Sequence, residues 1–308
     1  MPIDANMSIV VPSLERGEVL LQTIPMLREL TPPAAEIIIV DQTAAYPDSI
    51  QRQMADWAAA GIIRWERRLQ PSVPAAMNHG LITARCPIVL FLDDDIVPAK
   101  NLIQGHLQNY SDASVWAVTG QVLQPGQQPA PVMARPSKSA LWRDLDFGFY
   151  SNQRQRVHNC MAGNLSVRRD RAIDVGGFDE NFVRIAYRFE TDFIRRLIRG
   201  GGAVVFEPEA SIQHLLLGRG GTRVYGHHHQ TFRPDHSVGE YYFALRHGRG
   251  AERFTFAAYR LFRVLRTRHN VLHPWKIPLR LVAELRGFAW AIRLFRQGPQ
   301  HLSHPEAV

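Results

Sequence analysis

The chain has 308 residues, of which 45% are hydrophobic, and a formal net charge of +8 at pH 7. This composition fits a globular protein with one large domain, or one domain with an appendage. The two cysteines, Cys86 and Cys160, are too few for a disulfide scaffold and fit a reducing compartment. We recognise no signal peptide and no run of about 20 uncharged apolar residues, so we expect no membrane-spanning helix.

The N-terminal third alternates between strand-like and helix-like segments. Apolar runs predict strands over residues 7–12, 36–40, 62–66 and 87–92, and apolar spacing predicts helices over 15–30, 49–60 and 73–84. Strands that alternate with helices form parallel sheets through right-handed crossovers. We therefore expect an α/β fold with a Rossmann-like, mainly parallel sheet and helices on both faces.

The pattern is less regular after residue 115. We predict a strand over 115–122, a loop over 124–136, a helix over 190–199 that ends at three glycines, and a short strand over 203–206. No internal repeat and no glycine-rich phosphate loop is found. Ligand specificity is expected to depend on loops such as 124–156.

Three consecutive carboxylates, Asp93, Asp94 and Asp95, follow the apolar strand at 87–92. Adjacent carboxylates repel one another unless a cation lies between them, and oxygen ligands suit Mg²⁺ or Mn²⁺. Ligands of open α/β sheets bind outside the carboxyl ends of the strands. The triplet therefore predicts a metal site that binds phosphate, and a solvated acidic turn is the alternative.

The C-terminal part is strongly basic, with twelve arginine and lysine residues between Arg246 and Arg296 opposed by Glu252 and Glu284. Two helical stripes accompany them: Phe254, Ala258, Leu261 and Leu265; and Leu281, Leu285, Phe288, Ile292 and Phe295. Basic amphipathic helices suit an anionic membrane surface, but they also suit packing onto the catalytic domain or a partner subunit. No nucleic-acid-reading motif is present, so we expect no nucleic-acid partner.

Several motifs occur in an order that resembles the family 2 glycosyltransferases, which are inverting enzymes of GT-A fold that use nucleotide-activated sugars. These motifs are the segments 8–13, 37–43, 91–95, 162–169, 176–182, 190–197 and 208–214. The resemblance covers residues 7–225. It implies a GT-A catalytic domain over 1–225, with a nucleotide half over 1–97 and an acceptor half over 98–225, followed by a helical appendage over 226–308.

The resemblance also implies which residues bind the donor. The residues expected to contact the nucleotide sugar are Pro12, Ser13, Glu15, Asp41, Asn78, Asp93, Asp94 and Asn164. Asp41 would accept hydrogen bonds from the base or ribose, since its carboxylate follows a strand. A turn aspartate is the alternative for Asp41, and a polar helix face is the alternative for Asn78.

A divalent metal, Mn²⁺ or Mg²⁺, is the implied cofactor. Asp93 and Asp95 would frame it, with Asp95 as the direct ligand, and His214 matches the family's late third ligand. The metal would neutralise charge on the leaving nucleoside diphosphate. A purely structural histidine is the alternative for His214.

Inverting transfer needs one general base for the acceptor hydroxyl. The family usually carries an acidic pair ahead of a second aspartate, and here that segment reads Phe189-Glu190-Thr191-Asp192. We predict Glu190 as the base and Asp192 as the second candidate. Both carboxylates also suit a helix N-terminus without any catalytic role.

A glycine-rich segment over 218–223 resembles a mobile loop that closes over the donor, with Arg219 or Arg223 placed to contact phosphate. A histidine triplet follows at 227–229, for which an incidental metal site is the weaker interpretation. It is internal to the sequence, so it is not an expression tag.

The resemblance therefore implies a metal-dependent, inverting hexosyl- or deoxyhexosyltransferase. Its expected partners are a nucleoside-diphosphate sugar, a lipid-linked or cell-surface glycan acceptor, and an anionic membrane at the cytoplasmic face of the cell; oligomerisation is left open. A non-catalytic sugar-nucleotide-binding module is the alternative, supported by the departure at Phe189 and Glu190. A haloacid-dehalogenase-type phosphatase is disfavoured, because its aspartates follow the first strand rather than the fourth.

Overall fold

The computed structural model describes residues 7–302, except residues 136, 138, 140 and 227–231. The strands are β1 (Met7–Ser13), β2 (Glu36–Asp41), β3 (Arg64–Arg67), β4 (Ile88–Leu92), β5 (Ile96–Pro98), β6 (Val115–Leu123), β7 (Gln155–Arg156), β8 (Asn164–Arg168) and β9 (Ala203–His214). The helices are α1 (Gly17–Arg28), α2 (Asp48–Ala59), α3 (Val73–Thr83), α4 (Leu102–Leu107), α5 (Arg169–Asp174), α6 (Phe189–Arg199), α7 (Val238–His247), α8 (Glu252–Arg266), α9 (Arg268–Leu272) and α10 (Ile277–Gln297). The histidine triplet lies outside the described residues.

One mainly parallel sheet organises the molecule. Its strand order is β3-β2-β1-β4-β8-β6-β9-β5, and the short β7 pairs with β9. The first four strands in this order are parallel to one another, as the alternating sequence pattern predicts. Strand β8 lies antiparallel between β4 and β6, and β6 is again parallel to β9.

Both faces of the sheet are covered by apolar side chains. Along β1, Ile9 and Val11 point into one core and Val10 points into the other, because successive side chains of a strand alternate between faces. Helices α1, α2 and α4 cover the first face, and α3, α6 and α7 cover the second. Burial on both faces explains why the strands read as continuous apolar runs rather than as alternating ones.

Strand β9 is much longer than the predicted strand over 203–206. Its pairing with β6 changes register between Gly120 and Gln121, and beyond that point it pairs antiparallel with β5. In this register His214 pairs with Ile96, and Ile96 is the residue that directly follows Asp93, Asp94 and Asp95. The extension of β9 therefore brings His214, which is distant in sequence, close to the end of β4.

The C-terminal helices are not separate from the central sheet. Tyr242 and Phe243 of α7 and Leu294 of α10 belong to the same core as Phe91 of β4. The predicted appendage over 226–308 thus shares a core with the region before it. Within the described residues, no helix has both the length and the apolarity to cross a bilayer.

The apolar stripe predicted along α10 is divided between the interior and the surface. Phe288 stacks edge-on against Tyr241, with ring centroids 5.3 Å apart, whereas Leu285 is 59% exposed. The buried residues of α10 are Ala283, Glu284, Gly287, Ala291 and Leu294, and none of them belongs to the predicted stripe. Small residues on that face let α10 approach the body closely; a Cβ at Gly287 would lie 2.1 Å from Ser237 Oγ.

Candidate functional site

The three adjacent aspartates point in different directions. Asp93 faces a cleft at the carboxyl end of β4 and its side chain is 47% exposed, while Asp94 and Asp95 are buried. Asp94 accepts hydrogen bonds from Ser13 Oγ (2.7 Å) and Arg16 Nη1 (2.7 Å). Burial raises the pKa of Asp94 to about 6, although Arg16 and Ser13 oppose the rise. Asp94 thus joins β4 to the loop after β1.

Arg16 is a site residue that the sequence analysis did not identify. Its Nη1 lies 2.7 Å from Asp94 Oδ1 and 2.7 Å from Asp95 Oδ2, so one buried guanidinium neutralises two members of the triplet. A basic residue soon after the first strand is the only sequence signal for it. Asp95 Oδ2 also accepts a hydrogen bond from the Leu217 backbone N–H at 3.2 Å.

The other oxygen of Asp95 faces His214. His214 Nε2 lies 3.1 Å from Asp95 Oδ1 and 3.9 Å from Asp93 Oδ2, and Nδ1 lies 3.1 Å from Gln124 Oε1. Burial alone would lower the pKa of His214, but the hydrogen bond with Asp95 and the two carboxylate charges outweigh it and raise that pKa.

This trio has the donors that a divalent metal needs. One ligand atom each from Asp93, Asp95 and His214 lies within 4.8 Å of the others. Gln124 accepts from Nδ1, which leaves Nε2 of a neutral imidazole as the atom that faces the carboxylates. Two carboxylates and one imidazole fit Mn²⁺ or Mg²⁺. The residues present therefore fit the cofactor that the sequence predicts.

Because Gly163 has no side chain, the carboxylate of Asp93 can lie directly against its backbone. A Cβ at Gly163 would lie 2.0 Å from Asp93 Oδ2. The neighbouring Asn164 lies inside the sheet, where its amide donates to the carbonyl oxygens of Gln121 (3.0 Å) and Ala210 (2.8 Å). Asn164 Oδ1 also contacts His106 at 2.8 Å. The structure thus places Asn164 away from the cleft, as a connector of β6, β8 and β9.

The other predicted donor-binding residues divide into two groups. Pro12 and Ser13 line the cleft, and Glu15 is exposed beside a neighbouring cavity. Asp41 is fully buried and accepts from the Thr43 N–H, Tyr46 Oη and Trp65 Nε1 at 2.9, 3.0 and 2.9 Å. In this structure its carboxylate connects the end of β2 to the following loop and to β3.

Asn78 is likewise engaged by the protein. Its Oδ1 accepts from the Phe178 N–H at 2.8 Å, and its Nδ2 donates to the Phe178 carbonyl and to Glu180. The side chain holds the loop at 177–180, while its neighbour Met77 lines the cleft. Gln42, Pro71, Ser72 and Val73 also line it, and sequence reasoning named none of them as donor-binding residues.

The turn that precedes the candidate base Glu190 has a strained backbone. Arg184, Ala186 and Arg188 have φ values of +63°, +57° and +74°, which non-glycine residues rarely adopt. Such strain persists where the surrounding structure over-determines it, and it concentrates at functional sites. This turn places Arg184 and Ile185 in the lining of the cleft.

Glu190 follows this turn in the first turn of α6, next to Phe189, which lines the cleft. Burial raises the pKa of Glu190 to about 7. The nearby charges of Glu240 and Asp93 add to that rise, and Arg188 opposes it. A carboxylate with such a pKa can accept a proton near neutral pH.

Asp192 lies in a different environment from Glu190. It is fully buried, and its two oxygens lie 2.9 Å from Arg196 Nε and 2.7 Å from His247 Nε2, with Arg246 Nε 3.7 Å away. Burial alone would raise the pKa of Asp192, but Arg196 and His247 outweigh it and hold that pKa well below its usual range. The carboxylate is therefore a weak base with no open oxygen.

Asp192 also belongs to a second group of possible metal ligands, with Asp179 and His301. Asp179 already accepts from Tyr242 Oη at 2.8 Å and from two backbone N–H groups, and the cations around Asp192 balance its charge. We therefore assign this group as a buried charge cluster that joins α6 to α7 and to residues 300–301.

Replacing Asp192 with asparagine is expected to lower the free energy of unfolding by about 3–5 kcal/mol, because Arg196 and His247 would stay buried without their counter-charge. Urea denaturation at pH 7.5 measures this change. The matched control is Asp170→Asn, which removes an exposed partner of Arg171 and should cost under about 0.5 kcal/mol. Equal stability of the two variants would contradict the structural assignment.

The segment after His214 lines the cleft and contacts the loop after β1. Gly221 N–H donates to the Leu14 carbonyl at 2.8 Å, and Arg16 Nε donates to the Arg219 carbonyl at 3.2 Å. Thr222, Arg223 and Tyr225 line the cleft. Arg219 points outward and pairs with Glu18, so Arg223 is the arginine of this segment that lines the cleft.

Comparison with known proteins gives consistent results. The chain is 25% identical over 220 residues to the pre-mycofactocin glycosyltransferase of Mycobacterium tuberculosis, in both strain H37Rv and strain CDC 1551. The match covers 69% of this chain and 43% of the relative, so the chain spans less than half the length of those curated relatives.

Two solved structures resemble the fold. The mannosyltransferase PcManGT from Pyrobaculum calidifontis, in complex with GDP-Man and Mn²⁺, gives a TM-score of 0.55 at 17% identity, over 95% of this chain and 79% of that chain. The structure of GalNAc-T7 with UDP, GalNAc and Mn²⁺ gives a TM-score of 0.55 at 14% identity. That match covers 68% of this chain and 44% of the GalNAc-T7 chain. These likenesses confirm the expected GT-A fold.

The description of the matching family model is glycosyl transferase family 2, and the match runs over residues 8–176. It contains β1, β2, β4 and the aspartate triplet, and it covers more than half of the chain. The chain belongs to glycosyl transferase family 2.

Proposed function

We propose that this protein is an inverting, metal-dependent glycosyltransferase that moves a sugar from a nucleoside-diphosphate sugar to a hydroxyl acceptor. The observation that carries the proposal is the trio of Asp93, Asp95 and His214, whose ligand atoms converge at the carboxyl end of β4. Family membership supports the same activity. The donor would lie in the cleft that begins at Pro12 and Ser13.

Asp93, Asp95 and His214 are the residues proposed to hold Mn²⁺ or Mg²⁺. Bound there, the metal supplies positive charge that stabilises the leaving diphosphate. Burial alone would raise the pKa of Asp95, but the hydrogen bond with His214 and the charge of Arg16, 2.7 Å away, lower it. Arg223 supplies a second positive charge at the cleft, where it can donate hydrogen bonds to phosphate oxygens.

Glu190 is the proposed general base. It would accept the proton of the acceptor hydroxyl while that oxygen forms a bond to the anomeric carbon and the bond to the diphosphate oxygen breaks. Attack from the face opposite the leaving group inverts the anomeric configuration. The raised pKa of Glu190, about 7, matches this task better than the fully paired Asp192 does.

The proposal includes an acceptor at the inner face of the cell membrane, such as a lipid-linked or cell-surface glycan. What supports this part is the C-terminal region, where helices α8 to α10 combine exposed apolar side chains with many arginines. Contact with the membrane would bring the enzyme to an acceptor that cannot diffuse in three dimensions.

Thermal unfolding with nucleoside diphosphates tests the donor site. We expect UDP, GDP, dTDP or CDP to raise the melting temperature by several degrees with Mn²⁺ and by much less in EDTA, since a ligand at 100 times its Kd stabilises by about 2.7 kcal/mol. Turnover of the matching nucleotide sugar then separates an enzyme from a non-catalytic binding module. Binding that is identical in EDTA would contradict the metal site.

A further inference from the structure

A cluster of exposed, large apolar side chains lies where α8, α9 and α10 meet. We call it the helical tip; its members are Phe262, Leu265, Val271, Leu272, Trp275 and Leu279. The elements that carry these residues follow one another in the chain and contact one another. Trp275 is 70% exposed, and Val271 and Leu272 are each 61% exposed.

The exposure of the helical tip is not a consequence of poor packing beneath it. Val264 and Asn270 are buried between the exposed residues, and Asn270 Nδ2 donates to the Val264 carbonyl at 2.6 Å. The helices are therefore held together while their apolar residues face outward. Large apolar side chains that are exposed together on neighbouring helices are typical of an interaction site.

The charges around the helical tip indicate the chemistry of its partner. Between residues 253 and 302 the sequence has ten lysine and arginine residues and a single acidic residue, Glu284. Glu284 is buried and paired with Arg260 at 3.0 Å, so it does not offset the surface charge. Arg263, Arg266 and Arg286 are exposed on the same elements as the apolar residues.

We propose that the helical tip binds the interface of an anionic lipid bilayer, with its apolar residues among the acyl chains and its arginines at the headgroups. An apolar surface with basic residues beside it gains from both burial and attraction to anionic lipid. Trp275 suits the same place, because indole combines an apolar ring with one N–H donor. The surface predicted from the sequence ran along α10, where Leu285 is indeed exposed, and the structure adds the exposed apolar residues of the α8–α10 junction to it.

A second copy of the chain is a less suitable partner. A two-fold interface places the same patch on both sides, so the arginines of the two copies would oppose one another. An anionic bilayer has the complementary charge. The observations therefore favour lipid over self-association.

Co-sedimentation with vesicles tests the proposal. We expect the protein to bind vesicles of phosphatidylcholine with phosphatidylglycerol and to bind phosphatidylcholine alone much more weakly. The double variant Leu272→Ser, Trp275→Ser should lower the partition coefficient by about tenfold or more. Burial of one large apolar side chain is enough to change a binding constant by about that factor. The matched control is Leu69→Ser with Ile82→Ser, two residues that are exposed elsewhere by 66% and 52%. It should bind as the wild type does.

A second pair of variants separates charge from apolar contact. Arg263→Gln with Arg266→Gln should weaken binding to phosphatidylglycerol vesicles by about tenfold or more, whereas Arg28→Gln with Arg52→Gln, which changes exposed arginines of α1 and α2, should leave it unchanged. Melting temperatures confirm that each variant is folded.

Two results would overturn the proposal. One is equal vesicle binding by the tip variant and its control. The other is a wild-type protein that ignores anionic vesicles at low salt but forms a dimer in sedimentation analysis that the tip variant does not form. None of these measurements needs a sugar donor, so their outcome is independent of the proposed transferase activity.

Discussion

Asp95→Asn is expected to lower the transfer rate at least about 10³-fold, because a bound metal contributes several kcal/mol of charge stabilisation and each 1.4 kcal/mol is a factor of ten. Asp95 Oδ1 is the oxygen that faces His214, and asparagine replaces the charge of this carboxylate with a neutral amide. The fold should survive, since Arg16 keeps its 2.7 Å contact with Asp94. Initial rates across a Mn²⁺ titration measure the effect.

The matched control for this experiment is Asp94→Asn, which removes a charge one residue away. Asp94 faces Ser13 and Arg16 rather than His214, so the rate of this variant should keep the wild-type dependence on Mn²⁺. Full activity of the wild type in excess EDTA would show that the trio of Asp93, Asp95 and His214 holds no catalytic metal.

Much of the sheet could be predicted because its strands are buried on both faces. Continuous apolar runs gave β1, β2 and β4 to within a residue, and helical spacing gave α2 and α3 equally well. The extension of β9 could not be predicted in this way. It depends on the register shift beside Gly120 and on pairing with β5, and both are tertiary events that leave no local periodicity.

The site was predictable where chemistry alone requires a residue type. Three adjacent carboxylates after an apolar strand required a cation nearby, but the sequence did not reveal that Arg16 supplies one of the charges. Asp41 and Asn78 were predicted to bind the donor, but in the structure other residues of the protein engage them. Their polar side chains lie near the expected pocket, yet Trp65 and Phe178 satisfy them from distant parts of the chain. Motif position alone cannot separate a ligand-binding carboxylate from one that the fold uses internally.

The C-terminal helices show the same limit in another form. A stripe of apolar residues along α10 was visible in the sequence, but α10 buries the neighbouring face, which has Ala283, Gly287 and Ala291. Small residues give little apolar signal, although they permit close packing of a helix against the body. The stripe therefore identified the helix, but it did not show which face of the helix packs against the body.

Glu190→Gln is expected to lower the transfer rate by a factor of about 10²–10⁴, the usual cost of removing a general base. Glutamine has the same shape but cannot accept the proton of the acceptor hydroxyl. Donor binding should be unchanged, because Asp93, Asp95 and His214 are intact. Single-turnover rates and the Mn²⁺-dependent thermal shift separate these two effects, and Glu190→Asp should keep part of the activity.

The pH dependence gives a readout that a structural role would not produce. Because the base acts in its deprotonated form and the pKa of Glu190 is raised to about 7, kcat/KM of the wild type should rise with pH through that region, and this rise should be absent in Glu190→Gln. The raised pKa also means that ionised Glu190 destabilises the fold at pH 8, so the glutamine variant should melt at the same temperature or higher. Asp192→Asn should behave oppositely, with a large loss of stability and a rate per folded molecule near that of wild type. A crippled but fully stable Asp192→Asn, beside a nearly normal Glu190→Gln, would transfer the role of base to Asp192.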